Sequence, residues 1–280
     1  MYKTLLTDLT DNILTVTINR PDKLNALNGT VISELGEVVE EIYSNKDIRS
    51  AILTGAGQKA FVAGADIAEF RGLSKEEGRA LSFKGSDIFF RIAASPKPIV
   101  AAVNGFALGG GCELAMACHF RLCVPTAKFG QPEVNLGLIP GYGGTQRLTR
   151  LVGRGRAIEI MLTGRMVEAT EAHTMGLVNY IIVEPDELLT ETRKLLTIIN
   201  DKAPLAVARI IECVNLAAGD GNLHSKAWEP DPFGGGDIAN VPTNGFVREQ
   251  EAFGECFGTA DMQEGTAAFL EKRKPRFRGA

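Results

Sequence analysis

The first clear pattern along the chain is Ile13-Leu14-Thr15-Val16-Thr17-Ile18-Asn19, an alternation of β-branched and polar residues. It reads as a strand that stops at Arg20-Pro21. Apolar side chains then recur at helical spacing, Val31, Leu35, Val38, Val39 and Ile42, which predicts a helix over 30–44 with one buried face. A second strand, Ser50-Ala51-Ile52-Leu53-Thr54, ends at Gly55-Ala56-Gly57. Helical spacing resumes over 75–92, and Pro96-Lys97-Pro98 breaks it ahead of the strand Ile99-Val100-Ala101-Ala102-Val103. Strands alternating with helices point to an α/β core with parallel pairing.

From about Thr145 the pattern changes. One late strand is expected over 178–183, and the remainder is mainly helical, over 186–200, 204–217, 246–257 and 262–273. The chain therefore divides into an α/β core over 1–200 and a helical C-terminal region over 201–280. It contains no internal repeat. The stretch 219–245 fits neither part: six glycines, three prolines and the single tryptophan, Trp228, stand between two helical patterns. A loop of that length inside a compact domain is usually functional or disordered. It is either a surface excursion or a segment that Trp228 and Phe233 anchor against a pocket or a neighbouring copy.

At 280 residues and 45% hydrophobic, the chain can bury a substantial core. A net charge of −4 gives no overall attraction to nucleic acid, although Lys272-Arg273-Lys274-Pro275-Arg276-Phe277-Arg278 forms a basic tail. That tail suits either a solvated terminus or an anion site. Five cysteines (Cys112, Cys118, Cys123, Cys213 and Cys256) lie in apolar runs without CxxC spacing and read as buried thiols of a reducing compartment. Three scattered histidines, His119, His173 and His224, suggest no metal site. The N-terminus carries neither a long apolar segment nor an Arg-rich presequence, so a cytoplasmic protein without membrane attachment is expected.

The candidate chemistry sits on two carboxylates and the glycines around them. Glu113 closes the run Gly109-Gly110-Gly111-Cys112, and Glu133 follows Phe129-Gly130-Gln131-Pro132. Ile139-Pro140-Gly141-Tyr142-Gly143-Gly144-Thr145 lies downstream. Paired carboxylates next to exposed backbone N–H groups suit general acid/base work on a substrate whose developing charge the backbone holds. The glycine run lacks the Lys and Ser/Thr of a phosphate-binding P-loop and completes no dinucleotide fingerprint. It can serve as an oxyanion site at a helix N-terminus or simply allow close helix–strand packing. Gly64 lies in a second small-residue turn, so the Ala65 N–H could face a carbonyl, with Asp66 read as an ordinary helix cap. For Glu113 the plain alternative is a charge in the first turn of a helix, and for Glu133 an exposed loop carboxylate.

Taken together, these segments resemble the crotonase (enoyl-CoA hydratase/isomerase) family over nearly the whole chain. The resemblance is carried by Asn19-Arg20-Pro21, Asn25-Ala26-Leu27, Ala60 to Asp66, Ala101 to Glu113, Phe129 to Glu133, Ile139-Pro140-Gly141, Gly143 to Leu148, Glu264-Gly265 and Phe269 to Pro275. It implies a crotonase-like spiral of ββα units with a helical C-terminal trimerisation region, assembled as trimers or dimers of trimers. It also implies acyl-CoA thioester substrates, with coenzyme A as part of the substrate and no separate cofactor or metal. By the same resemblance the N–H groups of Ala65 and Gly110 hold the thioester oxygen. Lys23, Leu24, Ala26, Ala63, Asp66 and Ile67 flank the CoA moiety, and Gln131 and Gly141 belong to the substrate site, Gly141 offering an N–H to Glu133. Phe253, Phe269 and Lys272 match C-terminal positions that approach CoA, in the family often from a neighbouring subunit. Ala68 departs from relatives that carry a phosphate-pairing lysine there.

Relatives share the oxyanion hole but differ in their acids and bases, so the fold alone does not name the reaction. Both hydratase glutamates are present. The resemblance assigns Glu113 to the attacking water and Glu133 to proton exchange at C2; the residues themselves do not say which is acid and which is base. The expected activity is syn hydration of trans-2-enoyl-CoA in fatty-acid or related acyl-CoA breakdown. The alternatives are an enoyl-CoA isomerase, a specialised acyl-CoA hydratase, or a silent scaffold or RNA-binding member of the same fold.

Overall fold

The computed structural model describes residues 2–202, 204–218 and 253–276. The segment 219–245, with Trp228 and Phe233, lies outside the described residues, as do positions 246–252 of the helix expected over 246–257.

The first strand pair was only half legible. β2 (Ile13–Ile18) forms as expected, but β1 (Leu5–Thr10) precedes it and pairs with it antiparallel, from Leu5 opposite Ile18 to Thr10 opposite Ile13. The two-residue turn is Asp11-Asn12 with φ of 53° and 61°, the left-handed pair that a primed hairpin turn needs and that Asp and Asn tolerate. The signal was weak because only Leu5 of β1 is buried, so its hydrophobic alternation carries little information.

The next units repeat one plan. Helix α1 (Gly29–Ser44) leads to β3 (Ser50–Gly55) and β4 (Ala60–Ala63). Helix α2 (Lys75–Ala93) leads to β5 (Ile99–Val103) and β6 (Phe106–Leu108). Helix α3 (Gly110–Ala117) leads to β7 (Phe120–Cys123) and β8 (Lys128–Gly130). In every unit the first strand joins one sheet and the second joins another. The large sheet runs β1-β2-β3-β5-β7-β10 and the small one β4-β6-β8-β9, with β9 at Val167–Glu168 and β10 at Tyr180–Ile181. From β2 to β10 the large sheet is parallel. This is a spiral of ββα turns. Its core strands are buried along their whole length, as two-sided parallel strands must be.

The helix ends follow local chemistry. Asn28 caps α1 by accepting from the Val31 N–H at 2.9 Å, and Ser74 with Glu77 forms a reciprocal capping box on α2. Four helices follow the third unit: α4 (Gly144–Val152), α5 (Arg154–Thr163), α6 (Ala169–Thr174) and α7 (Leu188–Asn200). The late strand is two residues long instead of six, because only Tyr180 and Ile181 align with β7. Further along the chain lie α8 (Pro204–Ala217) and α9 (Ala260–Leu270). Helix α9 packs on the segment that carries Glu133. A Cβ at Gly265 would stand 2.5 Å from the Leu136 carbonyl, so a glycine is required for this approach.

Cys112, Cys118 and Cys123 are buried free thiols that burial pushes up to about 12. His119 joins β5 to β7, its Nδ1 accepting from the Ile99 N–H at 2.9 Å. Burial depresses its pKa from 6.5 to about 4. Below pH 6.5 the unfolded chain binds a proton that the folded chain refuses. Stability should therefore fall as pH drops from 6.5 towards 4, by up to about 3 kcal/mol, and level off below. Urea unfolding at pH 7 and pH 5 checks this: His119→Asn, which keeps an acceptor near Nδ1, should flatten that fall. An equal loss in the variant would remove His119 as its source.

Candidate active site

The three consecutive glycines at the start of α3 are required for three separate reasons. Gly109 has φ 49°, and a Cβ there would come within 2.6 Å of Glu133 Oε1. Gly111 lets α3 lie on β4, since its Cβ would meet the Val62 carbonyl oxygen at 2.0 Å. Gly110 lines the cavity, as Gly109 does beside it. Close helix–strand packing at Gly111 and a place on the cavity wall at Gly109 and Gly110 thus coexist in one run. The Gly109 N–H donates to the Gly130 carbonyl at 2.9 Å, which joins the end of β6 to the end of β8 and brings the two glutamate-bearing segments together.

Glu113 lies in the first turn of α3 and is buried at 1% exposure. Its Oε1 accepts from the Tyr142 N–H at 2.7 Å and the Gly144 N–H at 2.8 Å. Two backbone donors hold one oxygen of the carboxylate in place. Glu133 sits on a short 3-10 helix, Pro132–Leu136, and is partly exposed. Gln131 is buried, and in the amide orientation that satisfies both ends of its side chain it donates to both Glu133 oxygens at 3.2 Å. The sequence placed Gln131 in the site without a task; holding Glu133 is a task it can perform. The donors on Tyr142 and Gly144 were not anticipated. The glycine-rich composition of 139–145 was their only signal.

A cavity of about 210 Å³ opens between these groups. Its wall includes Ala63, Gly64, Ala65, Ile67, Gly110, Glu113, Glu133, Gly141, Tyr142, Phe253 and Phe269. Ala65 forms a parallel bridge with Leu27, in which the Leu27 N–H donates to the Gly64 carbonyl and the Asp66 N–H to the Leu27 carbonyl. That pattern turns the Ala65 N–H the other way. No backbone hydrogen bond among the described residues uses the N–H of Ala65 or of Gly110. Both cavity-lining residues therefore keep a donor for a ligand oxygen, one of them at a helix N-terminus.

Other expected residues fall around this centre in different ways. Asp66 does not act as a side-chain cap. Its carboxylate pairs with Arg20, Nη2 to Oδ2 at 2.9 Å, because the 19–27 loop crosses directly over the turn. The carbonyl of Gly141 accepts from Ser82 at 2.5 Å and Ser86 at 3.2 Å, which ties the 139–144 loop to α2. Phe253 and Phe269 reach the cavity within the same chain. Phe253 packs edge-on against Phe70 with centroids 6.3 Å apart, and an aromatic cluster of Phe70, Phe253 and Phe257 backs the wall. Lys23, Leu24, Ala26 and Lys272 are not part of the cavity lining. Lys272 adopts φ 55° just after α9, and its neighbour Arg273 pairs with Glu264 at 2.6 Å. The basic tail is thus partly neutralised from within. Among the described residues there is no group of three His, Cys, Asp or Glu side chains placed to hold a metal, and no helix is long and apolar enough to cross a membrane.

Comparison with known proteins bears on this geometry. The family model for enoyl-CoA hydratase/isomerase matches residues 8–229. The chain is 44% identical over 262 residues to a short-chain-enoyl-CoA hydratase of Clostridium acetobutylicum, covering 94% of this chain and 92% of that one. It is 43% identical over 276 residues to a crotonyl-CoA hydratase of Syntrophomonas wolfei, covering 99% and 98%. The crystal structure of an enoyl-CoA hydratase from Mycobacterium avium subsp. paratuberculosis superposes with a TM-score of 0.82 at 28% identity, covering 99% of this chain and all of that one. A match over most of the chain, on a ββα spiral that brings two carboxylates and two free N–H groups to one cavity, has one reading: this protein belongs to the enoyl-CoA hydratase/isomerase family.

Proposed function

We propose that this protein is an enoyl-CoA hydratase that adds water across the C2=C3 bond of short trans-2-enoyl-CoA thioesters. The observation that carries this reading is the placement of Glu113 and Glu133 on one cavity wall with the unused N–H groups of Ala65 and Gly110. The thioester oxygen accepts from those two donors, which stabilise the enolate as it forms. One water sits between the carboxylates. Glu113, ionised, takes one proton of the water as its oxygen adds to C3, and Glu133, protonated at the start, gives its proton to C2 on the same face to form 3-hydroxyacyl-CoA; exchange with solvent then returns the pair to its starting protonation. An isomerase of this family requires only one such carboxylate, so the pair favours hydration.

The same reading makes coenzyme A part of the substrate and requires no metal or added cofactor. Lys23, Leu24 and Ala26 flank the pantetheine and nucleotide, and Lys272 supplies charge for a phosphate. Trimers or dimers of trimers in the cytoplasm complete the proposal. A short acyl group is supported by the names of the two relatives and by a cavity smaller than the roughly 300 Å³ at which small-molecule pockets commonly begin.

The direct test is loss of enoyl absorbance with crotonyl-CoA and longer homologues. Turnover should persist after exhaustive chelation. No absorbance change at any chain length would sink the hydratase reading, and loss of activity on chelation would overturn its metal-free part.

A further inference from the structure

We propose that the ring of Tyr142, seated in a slot between Gly85 and Gly110, is the wall that limits acyl length; this rests on the acyl-CoA reading of the cavity. Neither Tyr142 nor Gly85 stood out in the sequence. Tyr142 lines the cavity and is 6% exposed. One edge of its ring lies over Gly85 in the middle of α2. A Cβ added there would stand 2.4 Å from Cε1 and 2.6 Å from Cδ1, closer than any real Cβ could approach. The opposite edge faces Gly110, whose Cβ would meet Cδ2 at 3.4 Å and Cε2 at 3.5 Å. The ring thus spans the gap between two helices at the positions where each presents a glycine. Phe89 holds it from the side, edge-on, with centroids 5.4 Å apart.

The backbone beneath the ring is also fixed. The Tyr142 N–H donates to Glu113, its carbonyl accepts from Arg147 at 2.7 Å, and the Gly141 carbonyl accepts from Ser82 and Ser86. The ring therefore stands on an anchored stretch of backbone and is packed between Gly85, Gly110 and Phe89.

The position matters for substrate choice. A thioester oxygen on Gly110 and Ala65 puts C3 beside Glu113, and Tyr142 follows directly from the group that holds Glu113. Acyl carbons beyond C3 therefore run towards the ring. Short chains fit the cavity of about 210 Å³, and longer ones meet the aromatic wall.

The test measures affinity for saturated butyryl-CoA and octanoyl-CoA by titration calorimetry, on wild type, Tyr142→Ala and Tyr142→Phe. Binding of saturated thioesters needs no turnover. A parallel crotonyl-CoA assay on wild type reports on the hydratase reading separately. Tyr142→Ala should raise the octanoyl-to-butyryl affinity ratio by about tenfold or more, because each methylene given a place out of water contributes about fourfold. Tyr142→Phe keeps the ring and should keep the wild-type ratio. A ring that serves only core packing would weaken both ligands alike. A folded Tyr142→Ala protein with the wild-type ratio overturns the proposal. Should that variant fail to fold, Tyr142→Leu opens less space and the same ratio decides: a rise supports the wall, and an unchanged ratio overturns it.

Discussion

Glu113→Gln and Glu133→Gln are each expected to lower kcat by about 10²-fold or more, the scale of a positioned general acid or base. The substitution is nearly isosteric at both sites. At position 113 an amide oxygen can still accept from the Tyr142 and Gly144 N–H groups, so α3 and the 139–144 loop keep their junction. What disappears is a carboxylate able to take a proton from water. At position 133 the side chain keeps its place against Gly109, and only its proton-transfer capacity is lost. Folding and oligomer mass should therefore be those of the wild type. Exchange of the C2 proton in heavy water should depend more on Glu133 than on Glu113. Equal exchange rates in the two variants would refute that division of labour, and undiminished turnover in either would remove that residue from the chemistry.

Gly110→Pro should cost about 3–4 kcal/mol in kcat/KM, the usual effect of deleting one oxyanion donor. The local structure permits this substitution. Gly110 is the first residue of α3, where proline is favoured because the N–H has no intrahelical partner. An added Cβ would press on the Leu27 Cδ1 at 3.2 Å and on the Tyr142 ring, side chains that can give by a few tenths of an ångström. Gly110→Ala adds that same Cβ and keeps the N–H. The gap between the two variants therefore isolates the donor. Affinity for a saturated acyl-CoA, measured alongside, should fall much less than turnover. Equal activity of the Ala and Pro variants would mean that the Gly110 N–H does not touch the reacting carbonyl.

These two experiments probe features of different legibility. Glu113, Glu133 and the glycine run each have a plain structural use when taken alone, and they stood out in the sequence through their combination and through an order along the chain that matches a known family. Gln131 was legible as a neighbour but not as a clamp, since its amide reaches Glu133 only through the turn into the 3-10 helix. Tyr142 was hidden in a glycine-rich loop. Its significance lies in Gly85, which is 57 positions away and inside a helix where a glycine looks like a mere weakness. Asp66 holds the N-cap position as expected, but its carboxylate pairs with Arg20 and makes no capping bond, because Arg20 belongs to an earlier loop brought over it by the spiral.

The sequence by itself determined the α/β class, the helices over 30–44, 75–92, 186–200 and 204–217, the parallel strands, and the two glutamates. Each of these rests on hydrophobic periodicity or on chemistry compressed into a few adjacent residues, and such information is local. Tertiary structure decided the rest. It split consecutive strands between two sheets and paired β1 with β2 on a left-handed two-residue turn. It left the N–H groups of Ala65 and Gly110 without a backbone partner beside one cavity and assigned a separate packing demand to each of three consecutive glycines. Those outcomes depend on close approaches between segments tens of residues apart, where a few tenths of an ångström decide whether a Cβ fits, and no periodicity along a single segment records such a distance.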